Sequence, residues 1–511
     1  MDQADRLLKR VAPIEMKPDE FRRLGYHMVD RIADWLAALP EHPITPGESP
    51  NFIRRLIGSG AIPEQGCDPR LLLDEAADLL FNHSLFNGHP RFLGFITSSA
   101  APIGALGDLL AAAVNPNVGG WALSPIASEI ETQTVRWIAQ MIGYSSDAGG
   151  VLVSGGNMAN FIGFIAARRA KANWDVRVTG LRGGDARLCV YVSNETHTWI
   201  QKAADLCGLG TDSIRWVATD EQLRIDTTAL RTAIQQDIDT GNRPFMVVGT
   251  AGTVSTGSID PLSELASICR EYDLWFHIDG AYGGFAAVLG EHLPELLALG
   301  QADSVAVDPH KWLYAPLEAG CTLVREPNHL HEAFSYHPPY YHLPENPEES
   351  PVNYHEYGPQ NSRGFRALKV WLALRQVGRD GYRQMIEDDI QLSKELYWLL
   401  ADHPALEAIT QSLSITTFRY VPPDLRNDSK KYEAYLNQLN TELLNRLQTG
   451  GEVFLSNAIV RHQFLLRACI VNFRTSLAEI RAIPEIVTRM GRTVDGEIRA
   501  TSPCFENVDS G

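Results

Sequence analysis

"VDPHKWLYAP", residues 307–316, sets an aspartate, a proline, a histidine and a lysine directly after the β-type run 304–307 and ahead of the aromatic residues Trp312 and Tyr314. A lysine at a strand terminus is ordinarily a solvated cation, so the stretch acquires meaning only from its neighbours. Outward from it, short apolar runs recur at 150–153, 188–192, 245–249, 274–278 and 322–324, and helical patterns at 158–172 and 262–271 separate some of them. Strand-length runs alternating with helical segments predict an α/β domain built on a mostly parallel sheet. In such a sheet ligands bind beyond the carboxyl ends of the strands, where Asp308, His310 and Lys311 fall.

The other strand ends carry matching chemistry. After 150–153 comes "SGGNMANF" (154–161). Its Gly155 and Gly156 let backbone approach a ligand, and Asn157 opens a helix whose free N–H groups favour an anion such as phosphate. The turn lacks a Walker lysine and "GTAGTVSTG" (249–257) lacks the Rossmann spacing, so a nucleotide site is not favoured. "HIDGAYGG" (277–284) ends its strand on Asp279, with Gly280 and Ala281 small enough for a flat ring to lie close; "SNETHTWI" (193–200) adds His197. Singly, Asp279 reads as a turn or cap residue and His197 as a hydrogen-bonded interior histidine. Together, each behind a separate strand, these groups and Lys311 supply what pyridoxal 5′-phosphate requires: an amine for its aldehyde, an aspartate to keep the pyridine nitrogen protonated, and a helix start for its phosphate.

A net charge of −17 opposes nucleic acid or an anionic membrane as the main partner and leaves a small molecule or a protein. The seven cysteines (67, 189, 207, 269, 321, 469 and 504) include no CxxC pair, which predicts reduced thiols without a disulfide framework or a metal cluster. The first residues mix charges through their apolar positions, unlike a signal peptide, and no run approaches the roughly 20 apolar residues of a membrane span; a cytoplasmic location is expected. An amphipathic helix starts at Pro18, with Phe21, Leu24, Met28, Ile32, Trp35 and Leu39 on one stripe, and ends at Pro40. That stripe must be covered by its own subunit or by a second one. Residues 327–361, with six prolines between 338 and 359, read as an irregular lid or binding loop. A helix at 365–377 and helix and strand patterns such as 464–473 then predict a smaller α+β domain.

The chain resembles the group II pyridoxal-phosphate-dependent amino-acid decarboxylases in "DEFRRLGYHMVDRIADWL" (19–36), "HPRFLGFITSSAAPIGALGDLLAAA" (89–113), "SPIASEIET" (124–132), "HIDGAYGG", "DPHKWLY" (308–314), "SRGFRALKVW" (362–371) and "FLLRACIVNFRTS" (464–476). The resemblance implies fold type I, the aspartate aminotransferase-like α/β fold, in a homodimer. Residues 1–95 would form a helical segment packing on the partner subunit, 96–385 the large cofactor domain with its lid loop at about 327–361, and 386–511 the small C-terminal domain. Position by position it implies Lys311 as the Schiff-base lysine, Asp279 as the pyridine-nitrogen partner, His197 stacked on the ring and Ala281 as the small contact below it. Gly156, Asn157, Asp308 and His310 fall around the phosphate, and Thr97 lies in the segment lining the substrate pocket. "HPPYY" (337–341) matches the place of a catalytic tyrosine, Tyr340, with Tyr341 adjacent.

The implied activity is decarboxylation of an L-amino acid to its amine and CO2, and likeness to the aromatic branch implies an aromatic substrate. "NSRGFR" (361–366) sets Ser362 where relatives carry glycine, which narrows the pocket and keeps an imidazole, acidic or diamino acid in play. Three rivals follow from the same residues: an aldehyde synthase differing in a lid residue, an aminotransferase using Arg474 as a carboxylate clamp, and a non-catalytic homologue. The intact Lys311, Asp279 and His197 count against the last.

Overall fold

The apolar runs fold as strands of one sheet: β1 Gly149–Val153, β2 Leu188–Ser193, β3 Ile214–Val217, β4 Arg243–Thr250, β5 Trp275–Asp279, β6 Ser304–Val307 and β7 Gly320–Val324. The computed structural model describes residues 3–10, 12–336 and 351–501; Tyr340 and Tyr341 lie outside the described residues. The order is β1-β7-β6-β5-β4-β2-β3, with β7 antiparallel to both neighbours and the remaining pairs parallel. Side chains alternate across a strand, so Leu188, Val190 and Val192 of β2 enter one core while Cys189 and Tyr191 enter the other. Both faces are thus covered, as the unbroken apolar character of these runs requires. The edge strand β3 was not among the predicted runs: its sequence Ile-Arg-Trp-Val is short, and only its first and last residues are buried.

A second sheet, β8 Leu406–Ser412, β9 Ile415–Tyr420, β10 Ser456–Val460 and β11 Gln463–Cys469, is antiparallel in the order β10-β11-β9-β8. It packs with the helices Glu433–Gly450 and Leu477–Thr501 around its own core. The helix expected at 365–377 is observed as Ala367–Ala401, continuing through a kink at Gly378, whose φ is +70°. Its first part buries Ala367 and Val370 in the large core; its last part buries Leu396 and Leu400 in the small one.

The amino-terminal helix is Pro18–Ala38, with proline in its first turn. One side docks on the helix Pro69–His83, where Trp35 stacks on Phe81 at 5.1 Å and His27 and Arg31 bond Asp74. Of the other stripe residues Leu24 and Leu39 are buried and Met28 is half-buried, whereas Phe21 and Ile32 are exposed. The segment expected to be irregular from 327 begins as a helix, Asn328–Phe334, anchored by the buried Leu330 and Ala333 ahead of the proline-rich stretch. Among the described residues, no helix is long and apolar enough to cross a membrane.

Candidate active site

The carboxyl ends of β1, β2, β5 and β6, which run in the same direction, and the start of β7 meet along one edge. Asp279 is the last residue of β5 and is buried. Its Oδ2 accepts a hydrogen bond from Trp199 Nε1 at 2.8 Å and its Oδ1 accepts from the Ala281 N–H at 3.1 Å. Trp199 opens the helix after β2, and its own N–H donates to His197 Nδ1 at 3.3 Å. The same two-residue span therefore places an indole under Asp279 and an imidazole at the mouth of the site. Desolvation in the cleft holds His197 below the ordinary histidine value; Asp279 opposes that shift and Lys311 adds to it. The imidazole is neutral at neutral pH, able to lie against a ring without bringing a second cation beside Lys311.

Beneath this layer His277, also on β5, is wholly buried, with one ring nitrogen 2.7 Å from Ser304 Oγ and the other 2.7 Å from Asn160 Oδ1. Burial pushes its pKa down to about 4, with Asp279 opposing. Asn160 Nδ2 in turn donates to the Gly156 carbonyl at 2.9 Å, so the strand carrying Asp279 is tied to the turn expected to cradle phosphate.

That turn has Gly155 at φ +97° and leads into the helix Gly156–Lys171, whose first N–H groups no side chain caps. A Cβ on Gly156 would stand 2.6 Å from Asp308 Oδ2 and 3.2 Å from Ala281 Cβ. Asp308, buried behind β6, holds Lys311 Nζ at 3.0 Å through Oδ2, while its Oδ1 has no hydrogen-bond partner among the described residues. His310 Nδ1 lies 2.6 Å from the Ala319 carbonyl, and the His310 carbonyl accepts from Ser98 Oγ at 2.7 Å. That bond brings the segment bearing Thr97 to the same edge. Lys311, Asp279, His197, Ala281, Gly156, Asn157, Asp308 and His310 are thus assembled as one group. An uncapped helix start, a turn too tight for a side chain, a buried carboxylate and a buried oxygen awaiting a donor fit a phosphorylated pyridine aldehyde.

Ser362 is exposed. Beside it, Arg363 turns inward and makes a buried pair with Glu131, its Nη2 and Nη1 donating to Oε1 and Oε2 at 2.5 and 3.1 Å. Arg474 lies over the Phe473 ring, 4.5 Å from guanidinium carbon to ring centre. Sequence reasoning missed Trp199, the His277–Asn160–Ser304 chain and the Arg363–Glu131 pair. Only Trp199 carried a local signal, being two residues beyond His197.

Residues 55–421 match the model of the pyridoxal-dependent decarboxylase conserved domain. An aromatic-L-amino-acid decarboxylase from Bacillus atrophaeus is 33% identical over 96% of this chain and 98% of that protein. A phenylacetaldehyde synthase from Petunia hybrida is 29% identical over 89% and 91%. Among solved structures, TDC from Oryza sativa with PLP and tryptamine superposes with a TM-score of 0.87 at 25% identity, over 95% of this chain and 99% of that one. The match covers both sheets and the edge where the glycine turn, Asp279 and Lys311 converge, and on it the chain belongs to the pyridoxal-dependent decarboxylases, fold type I enzymes that remove the carboxyl group of an amino acid with pyridoxal 5′-phosphate.

Proposed function

We propose that the protein decarboxylates an aromatic L-amino acid to its amine, with Lys311 as the covalent anchor of the cofactor. The placement of Lys311 Nζ 3.0 Å from Asp308, at the same edge as Asp279, carries the reading. Bound pyridoxal phosphate supplies an electron sink for the pair left when CO2 departs. Asp279, oriented by Trp199, would hold the proton on its pyridine nitrogen, His197 would stack on the ring, and Ala281 would be its small contact. Gly156 and Asn157 present backbone N–H groups to the phosphate, and Asp308 and His310 fix the turn that carries Lys311. Thr97 and Ser362 line the way to the substrate. Tyr340 donates the proton that replaces CO2 on the α-carbon. An aromatic substrate is supported by the Bacillus atrophaeus relative's 33% identity over nearly the whole chain.

The same reading makes the protein a cytoplasmic homodimer, with residues 1–95 on the partner subunit, 96–385 as the large domain and 386–511 as the small one. Supporting it are the exposed apolar face of the helix Pro18–Ala38 and the six cysteines of the described residues, all free. Borohydride reduction of the holoenzyme followed by peptide mapping should place the label on Lys311, and Lys311→Ala should abolish CO2 release from Trp, Tyr, Phe and dihydroxyphenylalanine. A label on another lysine, or turnover confined to histidine, acidic or diamino acids, would overturn the corresponding part. The relative named as a phenylacetaldehyde synthase favours a second outcome, aldehyde formation, which product analysis under air and under nitrogen separates from amine formation.

A further inference from the structure

The three residues after Lys311 are each held by the long helix beyond its kink. Trp312 Nε1 donates to Asp389 Oδ2 at 2.8 Å, Tyr314 OH donates to the same oxygen at 2.6 Å, and Tyr382 OH donates to the Leu313 carbonyl at 3.0 Å. All five of these residues are buried. The strap they form is fastened to the rest of the site as well. Trp312 stacks on Tyr282, three residues beyond Asp279, with ring centres 4.9 Å apart. The Tyr314 carbonyl accepts from the Ala101 N–H at 2.8 Å, at the end of the segment that bears Thr97. Tyr314 sits at φ +54°, a region an L-residue keeps only where its surroundings hold it there.

We propose that Asp389 is a positioning residue for Lys311: one carboxylate oxygen, taking donors from the first and third residues after the lysine, fixes the strap and thereby the direction in which the amine is presented. The proposal rests on Lys311 being the cofactor's anchor. A carboxylate is an expensive way to fill a core that a leucine could occupy. What it provides, and a leucine does not, is an acceptor reached by an indole and a phenol at once, joining the lysine strap to the helix shared by both cores. Burial pushes the Asp389 carboxyl up to about 7, and the bonds from Tyr314 and Trp312 pull against that shift.

The test compares holoenzymes carrying Asp389→Asn, Asp389→Leu and, as a control on the same helix, Ser393→Ala, which removes a buried bond to Thr416. Each is measured for total bound cofactor, for the fraction fixed to Lys311 by borohydride, for visible circular dichroism of the cofactor and for melting temperature. Asp389→Leu removes two buried hydrogen bonds; it should lower the Lys311-linked fraction about fivefold or more at equal total cofactor, fivefold being the size of one such bond, and change the dichroism. Asp389→Asn retains an acceptor and should restore both; Ser393→Ala should lower the melting temperature and change neither. If Asp389→Leu does not fold, Trp312→Phe and Tyr314→Phe each delete one donor and should shift the dichroism in the same sense. Wild-type linkage and dichroism in the folded variants, whatever their melting temperatures, would overturn the proposal. A wild-type label on a different lysine would overturn the anchor assignment and this proposal with it, an outcome distinguishable by its peptide.

Discussion

Between Gly156 and Asp308 there is no room for a methyl group. The Asp308 carboxylate is buried and engaged with Lys311, so a Cβ 2.6 Å from its Oδ2 must displace the turn and carry the free N–H groups with it. Gly156→Ala should weaken cofactor binding roughly tenfold or more, the worth of about one charge-assisted hydrogen bond, while the apoprotein melts within a few degrees of wild type. Equilibrium dialysis against pyridoxal phosphate checks it, and unaltered affinity would remove the turn from the phosphate site. Gly156, Asp279 and Lys311 were legible because each follows an apolar run, so local pattern located them. Trp199 and Asn160 were not: their partners, Asp279 and His277, are 80 and 117 residues away, and nothing in a single sequence announces a pairing at that range.

At the scale of elements, β1 is an edge strand with β7 on one side only. On its open side Leu152 donates its N–H to Glu131 Oε1 at 3.0 Å and accepts from Arg363 Nη2 at 2.7 Å. The ion pair stands where a neighbouring strand would, and β1 leads directly into the Gly155–Gly156 turn proposed to hold the phosphate. Removing one partner of a buried pair strands the other charge, so Glu131→Gln should cost about 3–5 kcal/mol and loosen cofactor binding as β1 frays. Replacing both, Glu131→Leu with Arg363→Met, removes the stranded charge but leaves the Leu152 N–H and C=O without these partners, so it should recover only part of the loss. Denaturant unfolding of the three proteins measures this, and a Glu131→Gln midpoint equal to wild type would refute it. Both "SPIASEIET" and "SRGFRALKVW" stood out in the sequence, yet their meeting across 232 residues could not be read there. Periodicity gave the central strands and the helices Pro18–Ala38 and Gly156–Lys171 well because each spans several turns or a fully apolar run. It failed at β3, half-buried with an arginine inside, and at Asn328–Phe334, where the prolines that follow dominated the reading.

For the whole molecule the decisive feature is apolar surface left in water. Phe21 and Ile32 on the first helix, Leu72 on the helix Pro69–His83, and Leu109, Leu110 and Val114 on the helix Pro102–Val114 are all exposed. Singly such residues are unremarkable; Pro18–Ala38 and Pro69–His83, packed on each other, both show them to solvent, and Pro102–Val114 shows three within two turns, the kind of exposure that marks an interface. Pro102–Val114 follows the segment of Thr97 and is bonded to the long helix through Lys369 and Asp108 at 3.1 Å, so whatever covers it is mechanically continuous with the site. If a second copy covers it, burying one leucine is worth about 1.5–3 kcal/mol, and a charge introduced there adds a desolvation penalty. Leu109→Asp with Leu110→Asp should therefore raise the dimer dissociation constant by about a hundredfold or more, with activity falling as the protein is diluted through that range. Sedimentation velocity read beside CO2 release at matched concentrations tests both halves. A wild type that is monomeric and fully active would discard the dimer. A double variant that stays dimeric would move the interface off this helix, and a monomeric variant with full activity would show that the site needs no partner.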